Sequence, residues 1–561
     1  MNWSSYMKNS HHILIALSLL ILTSCGTSKS MHHQPTIEGY NTTISEVIVH
    51  SNSLSTLANN ILKHDKSGHW QLYIEGDAYQ RGLVNGSLTK KILNFQEKVF
   101  FDKILDIVPS KFKQNLLRGF LKWYNRKLYL NVTEEYKTEI YGLSSYSSND
   151  YNYIAKPYLR SLYLHGAHDI GHALQDLALV GCSSFAAWKN KTEDGKLILG
   201  RNFDFYAGDE FAKNKIIAFV KPKKGIPFMM VTWAGMIGAV SGMNTAGITV
   251  TLNAGKSDMP LIAKTPISLV AREILQYASN IKEAIEIAKK RDVFVAEALM
   301  IGSAADNKAI LIEMSPNNFG VYNVGNSNQL ICSNHFQSEA YKNDKNNINQ
   351  IKESHSKYRF DKMVALFDEN PKITPKIAVS ILRNKEGLQD KKIGYGNEKA
   401  LNQLLAHHGI VFKPADKKVW VSANPYQLGK FVCYDLDEIF SNKLHNKFNF
   451  EDKFSSIAAD SFINSEAYKN YETYRVLDRK IDSLLSKKKP VFSNSELAHY
   501  ISLNPNLWSV YYKVGVLYEN KGYFAKAKPY FETALLKEVT TTPDLDAIQK
   551  HLKECKKKIK N

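Results

Sequence analysis

The spacing of apolar residues along the chain changes at Gly181. Between residues 100 and 180 apolar residues recur at helical intervals, as at Leu116, Phe120 and Tyr124, which predicts amphipathic helices. After Gly181, short apolar runs such as KLILGRNFDF, PFMMVTW and GITVTLN are separated by Gly, Asp, Asn and Pro, which predicts consecutive strands. Upstream, WQLYIEG predicts one more strand, followed by a helix with Asp77 as its N-cap.

The pattern after residue 264 adds helices and then returns to strands. The segment TPISLVAREILQYASNIKEAIEIAKK predicts a long helix with Thr265 as N-cap and Pro266 at its first position. Strands follow in EALMIGSA, KAILIEMS, FGVYNVG and QLICSNHF, then helices at 356–370 and 374–384, and a final hairpin and strand end near 436. This order has no regular βαβ rhythm, so it predicts the α+β class, with antiparallel sheets covered by helices.

The C-terminal region differs in its residue composition and in the spacing of its apolar residues. Residues 437–490 are charged and weakly periodic, and we predict a helical linker there. Further on, Tyr511, Gly515, Tyr518, Ala527 and Phe531 fall at the spacings of a tetratricopeptide repeat. Only one unit matches, and a lone repeat cannot bury its own face, so we expect a TPR-like α-helical extension that packs on its neighbours. A generic helical hairpin is the alternative, and a TPR-like tail would offer a surface to a protein partner.

The N-terminus predicts export and anchoring. The apolar run from Ile13 to Leu22 is too short to span a bilayer and is typical of a signal peptide. It ends in Leu-Thr-Ser-Cys, which resembles a bacterial lipobox with Cys25 as the lipid attachment point. Because Gly26 follows, we expect sorting to the outer membrane, facing the periplasm. No later stretch approaches eighteen apolar residues, so the membrane contact expected is the lipid anchor.

Charge and cysteine content limit the remaining functions. The formal net charge is +19, which favours anionic surfaces such as phospholipid headgroups, although a solvated Lys-rich surface is the preferred explanation. No dense basic block interleaved with aromatic residues occurs, so we expect no nucleic acid partner. The five cysteines are an odd number and form no CxxC pattern, which argues against a full disulfide framework. We expect neither a metal nor a cofactor.

Cys182 is the central candidate for chemistry, because it begins a predicted strand directly after the helical region. Cleavage of the Gly181–Cys182 bond would give this residue both a thiol and a free α-amine. The amine, with a pKa of about 8, could take the proton of a thiol of pKa about 8.5, so no separate histidine would be needed. Gly181 suits the cleavage, because glycine permits backbone conformations that other residues resist.

Several motifs in order carry a family resemblance. GCSSFAAW, GKLILGRNFDF, GDAYQRGLVNG, SGMNTAGITVTLNAG, CSNHFQS and HHGIVFKP resemble the isopenicillin N acyltransferase-like family of cysteine N-terminal-nucleophile (Ntn) hydrolases. Acid ceramidase and choloylglycine hydrolase are more distantly similar. The resemblance covers residues 68 to 436. It implies an αββα four-layer sandwich, autoproteolysis before the cysteine, and action on linear amides.

The resemblance also implies a role for each site residue. Arg201 would favour the thiolate by its charge, and Asp204 would orient or accept from the α-amine. The backbone N–H of Asn253 and the side-chain amide of Asn334 would form the oxyanion hole. Arg359 would be a second arginine that braces the site.

These interpretations divide the chain into six parts. They are a lipoprotein signal peptide at 1–25, a tether at 26–67, a helical N-terminal chain at 68–181, the Ntn-hydrolase catalytic domain at 182–436, the linker at 437–490 and the TPR-like helices at 491–561.

Three other groups of residues are alternative candidates for a functional site. Cys332 lies two residues before Asn334 and could line the pocket or be a buried thiol. His165, His168 and His172 with Asp169 have a spacing that a zinc site would need, but helix packing or hydrogen bonding near the cleavage junction is the preferred interpretation. His407 and His408 precede a strand and have no evident nucleophile as partner.

We therefore predict an autoproteolytic cysteine hydrolase or acyltransferase. It would cleave the linear amide of a small N-acyl substrate through an acyl-enzyme on Cys182, and the lipid anchor and positive charge favour an amphiphilic substrate. Two alternatives remain: an ester-cutting, phospholipase-B-like enzyme on the same fold, and a non-catalytic lipoprotein that binds partners through its helical repeat.

Overall fold

We analysed a computed structural model of the chain. It describes residues 26–166, 169, 180–205, 208–256, 260, 262–405, 407–441, 448–486 and 491–560. The predicted lipidation site at Cys25 and the signal peptide before it lie outside the described residues, as do His168 and His172.

The larger of two sheets has eleven strands and draws on both sides of residue 181. Its order is β1-β2-β3-β4-β7-β8-β9-β10-β11-β12-β13, and β4 pairs with β7 in parallel while every other pair is antiparallel. The strands are β1 Ile48–Ser51, β2 Leu54–Leu57, β3 Asn60–His64, β4 Trp70–Gly76, β7 Ile216–Pro222, β8 Phe228–Thr232, β9 Ser241–Asn244, β10 Ile248–Ala254, β11 Glu297–Ser303, β12 Lys308–Ser315 and β13 Asn318–Tyr322.

The smaller sheet has seven strands and holds Cys182. Its order is β14-β5-β6-β15-β16-β17-β18, antiparallel throughout. The strands are β5 Val180–Ala187, β6 Ile198–Phe205, β14 Gln329–Cys332, β15 His408–Lys413, β16 Lys418–Ser422, β17 Phe431–Asp435 and β18 Asp452–Ile457.

Helices cover the outer face of each sheet, and this arrangement confirms the predicted α+β, αββα sandwich. One apolar core lies between the two sheets. A second joins the larger sheet to α1 Ala78–Ile107, α4 Glu134–Ser144, α5 Pro157–His165, α7 Ile267–Tyr277 and α8 Ile281–Lys289. A third joins the smaller sheet to α10 Ser356–Glu369 and α11 Pro375–Leu382. The other helices of this part are α2 Lys111–Tyr124, α3 Leu128–Asn131, α6 Asp209–Lys213, α9 Lys345–Glu353 and α12 Leu436–Ile439.

The prediction of a tether for residues 26–67 is wrong over residues 48–64, which form β1, β2 and β3. These strands are short, with Ser and Asn between them, and β1 is exposed along its whole length, so they lack the alternation that identifies a half-buried strand. Ile61 nevertheless packs in the core between the sheets. Pairing with β4 therefore decided this structure, because the local apolar content could not.

The helix predicted after residue 264 differs in two details. Thr265 is not its N-cap; Pro266 occupies that position, and the helix breaks into α7 and α8 around Ser279. The Ile267 backbone N–H instead donates to the Asp169 carboxylate at 2.8 Å. A side chain distant in sequence thus satisfies a donor that a local cap usually satisfies.

A buried ionic cluster also joins the two sides of residue 181. Glu139 on α4 accepts from Arg81 on α1, Nη2 to Oε2 at 2.6 Å, and from Arg272 on α7, Nη2 to Oε2 at 3.0 Å. All three side chains are buried. Burial alone would raise the pKa of Glu139, but Arg272 and Arg81 outweigh it and hold that pKa below its ordinary value.

The C-terminal region is helical, as predicted, but residues 437–490 are not simply a helical linker. Residues 452–457 form β18 and complete the smaller sheet. The helices that follow are α13 Glu466–Leu485, α14 Asn494–Leu503, α15 Trp508–Asn520, α16 Phe524–Leu535 and α17 Thr542–Lys560. Their shared core includes Leu404 and Leu428 of the sandwich domain, so the helical unit packs against that domain.

Polar contacts hold this helical unit to the loop between α11 and β15. Glu538 accepts from Lys391 at 2.8 Å and from Lys399 at 2.7 Å. The Asn504 amide accepts from the Tyr395 backbone N–H at 3.1 Å and donates to its carbonyl at 2.8 Å. The same loop continues to Gln403, which lies beside the predicted cleavage site.

Candidate active site

Cys182 lies in a row of paired residues across three neighbouring strands. It is opposite Phe203 on β6, and Phe203 is opposite His408 on β15. Paired residues of antiparallel strands face the same side of a sheet, so these three side chains face the space between the two sheets. Cys182 is fully buried.

Arg201 is the charged group beside the thiol. Its Nη2 lies 3.6 Å from Cys182 Sγ and also donates to the Leu252 carbonyl. Its Nη1 donates to Val240 O at 3.1 Å and to Ser241 Oγ at 2.7 Å. These bonds hold the guanidinium at one position against the sulfur, as the sequence-based role of Arg201 requires.

Burial and charge oppose one another at the thiol. Burial raises the pKa of Cys182, the Arg201 guanidinium acts to lower it, and the Asp204 carboxylate acts to raise it further. In the uncut chain the balance leaves the pKa above its ordinary value. The thiol is therefore protonated at neutral pH and needs a base before it can attack.

Asn334 and Arg359 hold the backbone of the nucleophile. The Cys182 N–H donates to Asn334 Oδ1 at 2.9 Å. Arg359 on α10 donates to the Cys182 carbonyl at 2.5 Å and to Asn334 Oδ1 at 2.6 Å. Asn334 Nδ2 donates to Ala254 O at 2.9 Å. The structure thus brings together two residues that stand 152 and 177 positions after Cys182.

Asp204 lies on the opposite face of the smaller sheet from the thiol, opposite Gly181 on the adjacent strand. Gln427 Nε2 lies 3.5 Å from its Oδ1, and among the described residues Oδ2 has no hydrogen-bond partner. Burial raises the pKa of Asp204 to about 7, although Arg359 and Arg201 act to lower it. A carboxyl group with this pKa can both accept and donate a proton at neutral pH.

Gly181 is constrained by its surroundings as well as by its own flexibility. A methyl group in its place would lie 2.6 Å from Gln403 Nε2. A larger residue at position 181 would therefore require the Gln403 side chain to move away from the predicted scissile bond.

Asn253 is in the same region, but its side chain has a structural place. Its Oδ1 accepts from Ser184 Oγ at 2.6 Å, and its Nδ2 lies 3.2 Å from Ser333 O. These bonds tie β10 to β5 and to the turn that carries Asn334. The oxyanion role expected of its backbone N–H stays a prediction, as does that of the Asn334 amide.

Two of the three competing groups, Cys332 and His165 with Asp169, have structural roles where the structure describes them. Cys332 is a buried thiol opposite Ser184, and burial raises its pKa well above the ordinary value. His165 accepts from the Ile237 backbone N–H at 2.9 Å, and Asp169 caps α7. Among the described residues, no three His, Cys, Asp or Glu side chains are placed to hold a metal ion.

An apolar cavity lies next to the row of Cys182. Phe205, two residues beyond Phe203 on β6, stacks on Phe203 with ring centres 5.6 Å apart and on Trp233 with centres 6.2 Å apart. Phe205, Phe211 and Trp233 line the cavity together with Leu93, Phe100, Leu164 and Met236, and Gln96, Glu97 and Ser161 form its polar part. Its walls combine both sides of residue 181.

The sequence did not identify Ser241, Ser356, Gln403 or Gln427 as parts of this site. Ser356 accepts from the Asn334 backbone N–H at 2.8 Å, and the others contact Arg201, Gly181 or Asp204 as described. Serines and glutamines in ordinary strand and loop contexts carry no distinctive sequence signal. Their roles follow from strand pairing and helix docking.

No helix within the described ranges combines the length and the apolar character that a bilayer crossing needs. This finding concerns the described helices and leaves the predicted lipid anchor untested.

Comparisons with known proteins agree with the family resemblance. Residues 190–425 match the family model described as acyl-coenzyme A:6-aminopenicillanic acid acyl-transferase. The match begins after Cys182 and includes Arg201, Asp204, Asn334 and Arg359.

Two relatives match part of the chain. An uncharacterized protein of Archaeoglobus fulgidus is 24% identical over 279 residues, which are 46% of this chain and 45% of that protein. Protein dcd1B of Dictyostelium discoideum is 23% identical over 263 residues, 44% of this chain and 50% of that protein. The chain thus spans about half the length of the curated relatives it matches.

Two solved structures superpose on part of the chain. One is a Caenorhabditis elegans ortholog of N-acylethanolamine-hydrolyzing acid amidase, with 18% identity, a TM-score of 0.31 and coverage of 42% of this chain and 93% of that one. The other is a variant of conjugated bile acid hydrolase from Clostridium perfringens, with 13% identity, a TM-score of 0.30 and coverage of 46% of this chain and 93% of that one. At these scores the superpositions carry no weight for the function.

Proposed function

Because the central region of the chain is of the Ntn-hydrolase and acyltransferase family, we propose that the protein is a self-cleaving cysteine hydrolase or acyltransferase of N-acyl amides, with Cys182 as its nucleophile. One observation carries the proposal: the Cys182 thiol lies 3.6 Å from Arg201, while the residue before it faces Asp204. Nucleophile, charge and proton acceptor thus surround one peptide bond.

Activation would occur at that bond. The Cys182 thiol adds to the Gly181 carbonyl carbon, the carbon–nitrogen bond breaks, and the thiol proton goes to the freed nitrogen. Water then hydrolyses the resulting thioester, which leaves a Gly181 carboxylate, a free thiol and a Cys182 α-amine. Asp204, which lies opposite Gly181 on the other face of the sheet from the thiol, can exchange a proton with the freed α-amine, because its pKa is about 7.

The mature site would repeat the same chemistry on substrate. The α-amine takes the thiol proton, and the sulfur attacks the amide carbonyl. The amine leaving group departs with that proton, and the acyl group remains on Cys182 as a thioester. Water or a second amine then accepts the acyl group and restores the thiol. Arg201 favours the thiolate form through its charge.

The aromatic cavity indicates the acyl side of the substrate. The apolar part of this wall gains free energy from an apolar group at roughly 25 cal/mol per Å² buried, whereas Gln96, Glu97 and Ser161 make up its smaller polar part. We therefore assign the acyl group to the cavity and the amine to the opposite side of Cys182. A net charge of +19 favours substrates at an anionic surface.

Intact-mass analysis tests both stages. Wild-type protein is expected as two chains cut before Cys182, and Cys182→Ala as one uncut chain. N-decanoylglycine and the matching decanoyl ester of glycolic acid then compare amide with ester at the same acyl group. Activity in an uncut wild type, or activity retained by Cys182→Ala, contradicts the proposal; cleavage of the ester alone favours the phospholipase-B-like alternative.

A further inference from the structure

Helix α2 (Lys111–Tyr124) is apolar on two faces, and one of them is buried. Tyr124 lies in the core between the larger sheet and its helices, and its ring centre is 6.2 Å from that of Phe294. Leu117 and Leu121 share this face, because residues three and four positions apart meet on one side of a helix, and both are partly buried. This face holds α2 on the rest of the protein.

The other apolar face of α2 is a ridge that is open to solvent. It is formed by Phe112, Leu116 and Phe120, which are spaced by four residues along the helix and are 77%, 68% and 43% exposed. Scattered apolar residues are ordinary on a protein surface, but several large ones placed side by side mark an interaction site. These three residues are called the α2 ridge below.

Basic residues flank the α2 ridge. Between Asp106 and Glu134 the chain has no other Asp or Glu but six Lys and Arg, which are Lys111, Lys113, Arg118, Lys122, Arg126 and Lys127. At about 100° per residue, Lys113 lies on one side of the ridge and Lys122 on the other. An apolar face bordered by Lys and Arg is typical of helices that lie in the interface of an anionic bilayer. The helix has 14 residues, too few to cross a bilayer.

The charge and the shape of this surface favour a bilayer over other occupants. A second copy of the chain would set two groups of basic residues against each other, and like charges brought together disfavour association. A protein partner would need a groove for three large side chains and carboxylates to match the Lys and Arg. An anionic bilayer supplies both along the whole ridge, and the formal net charge of +19 attracts the molecule to such a surface.

We propose that α2 docks the protein on an anionic phospholipid bilayer. The α2 ridge enters the boundary between headgroups and acyl chains, and the flanking Lys and Arg residues bind lipid phosphates. A contact of this kind reaches about 5–10 Å into the bilayer. It is separate from the predicted lipid anchor at Cys25 and independent of the chemistry proposed for Cys182.

The depth of a nitroxide label tests the contact at one side chain. The parent protein is the full-length chain with Cys25→Ser and Cys182→Ala, in which the other cysteines are buried and the predicted lipid has no attachment point. Leu116→Cys places the label on the α2 ridge. Leu536→Cys is the matched control, because Leu536 is 81% exposed directly after α16. Power-saturation electron paramagnetic resonance measures the depth of each label in vesicles.

In vesicles of three parts phosphatidylcholine to one part phosphatidylglycerol, the two labels should differ. The label at position 116 should lie about 5–10 Å inside the bilayer surface, and the label at position 536 should stay in water. Phe112→Ser should lower the ratio of inserted to free label at position 116 by about tenfold, since a large apolar side chain gains at least that factor on leaving water. Phe454→Ser removes a fully exposed phenylalanine on β18 and should leave the ratio unchanged.

The charges are tested with the label kept at position 116. Each basic residue near an anionic bilayer contributes about fivefold to binding, so Lys113→Glu with Lys122→Glu should lower the inserted-to-free ratio by about 25-fold or more. Lys557→Glu with Lys558→Glu, on the exposed basic end of α17, should leave it unchanged. Vesicles of phosphatidylcholine alone should lower the ratio by at least about tenfold.

Three results would overturn the proposal. A label at position 116 that stays in water on the anionic vesicles means that α2 does not dock there. Equal insertion into the phosphatidylcholine vesicles means that the basic residues do not select an anionic surface. Spin–spin broadening at position 116 in the absence of vesicles means that a second copy of the chain covers the ridge.

Discussion

Two buried ionic clusters in this molecule use similar residues and have opposite properties. In the cluster between α1, α4 and α7, two arginines flank Glu139, and the pKa of that carboxyl group is below its ordinary value. In the cluster around the nucleophile, two arginines also lie near a buried carboxyl group, yet the pKa of Asp204 is raised to about 7.

The difference follows from contact. Glu139 receives direct hydrogen bonds from both of its arginines, whereas at the nucleophile Arg201 is committed to Cys182, Ser241 and backbone carbonyls, and Arg359 to Cys182 and Asn334. Asp204 therefore bears its desolvation without direct charge pairing. A cluster whose carboxylate is paired directly with its arginines stabilises the fold. A cluster whose carboxyl group is left without such pairing keeps that group able to titrate near neutral pH, which is a usual sign of a functional site.

The largest effect should come from replacing the titratable carboxyl group of Asp204. Asp204→Asn keeps the size of the side chain but cannot accept a proton, so self-cleavage should slow by about 10²–10⁴-fold, the usual contribution of general acid–base catalysis. Time-resolved intact-mass analysis of freshly translated protein measures the rate. Cleavage at the wild-type rate would show that Asp204 is not the proton acceptor. Asp416→Asn, at a half-buried turn where Asp416 pairs with Lys196 and Lys413, is the control.

The next effect concerns stability. Glu139→Gln leaves Arg81 and Arg272 buried with only part of their charge compensation, so unfolding should become easier by about 3–5 kcal/mol. Urea unfolding is measured in the Cys182→Ala background, which is expected to keep one chain. Glu134→Gln, on the same helix, removes an exposed carboxylate that pairs with Lys137, and it should cost less than about 1 kcal/mol. Equal losses in the two variants would remove the distinction between the clusters.

The pH dependence of stability distinguishes the clusters by sign. The pKa of Asp204 is about 7 in the folded chain against an ordinary 3.8, so between these values the folded state holds a proton that the unfolded state has lost. Its contribution to stability therefore falls as pH rises from about 4 to 7. Urea midpoints of Cys182→Ala should show this slope, and adding Asp204→Asn should flatten it. For Glu139, whose pKa is lowered, the contribution is present above its ordinary pKa and is lost on acidification.

The smallest effect on stability is expected at a half-buried ion pair. Glu538 binds Lys391 and Lys399 at the junction with the C-terminal helices, and water reaches this site. Glu538→Gln should lower stability by about 1 kcal/mol, visible as a small shift in thermal melting. Glu339→Gln, which removes an exposed pair with Lys342, is the control with almost no shift. A shift in melting temperature as large as that of Glu139→Gln would mean that the ion pairs at this junction contribute as much stability as the buried Glu139 cluster.

Sequence patterns could predict many of the strands and part of the candidate site, because these features depend on local periodicity or on the order of motifs along the chain. The alternating runs after Gly181 predicted most of the strands, and the N-cap at Asp77 is formed as expected, accepting from the Gln80 N–H. Cys182, Arg201 and Asp204 belong to two consecutive strands, so a short hairpin suffices to bring them together. β1 has no local signal, because it is exposed on both faces and its two apolar residues, Ile48 and Val49, do not alternate with polar ones.

The sequence by itself determined the fold class, the position of Cys182 at the start of a strand and the family to which its surroundings are similar, because periodicity and motif order survive without coordinates. Only the tertiary structure decided which of two histidines meets Ser241, which arginine meets the Cys182 carbonyl and which carboxyl group is left without charge pairing. Those outcomes depend on strand register and helix docking between residues more than a hundred positions apart, and on desolvation, which is a property of the assembled core.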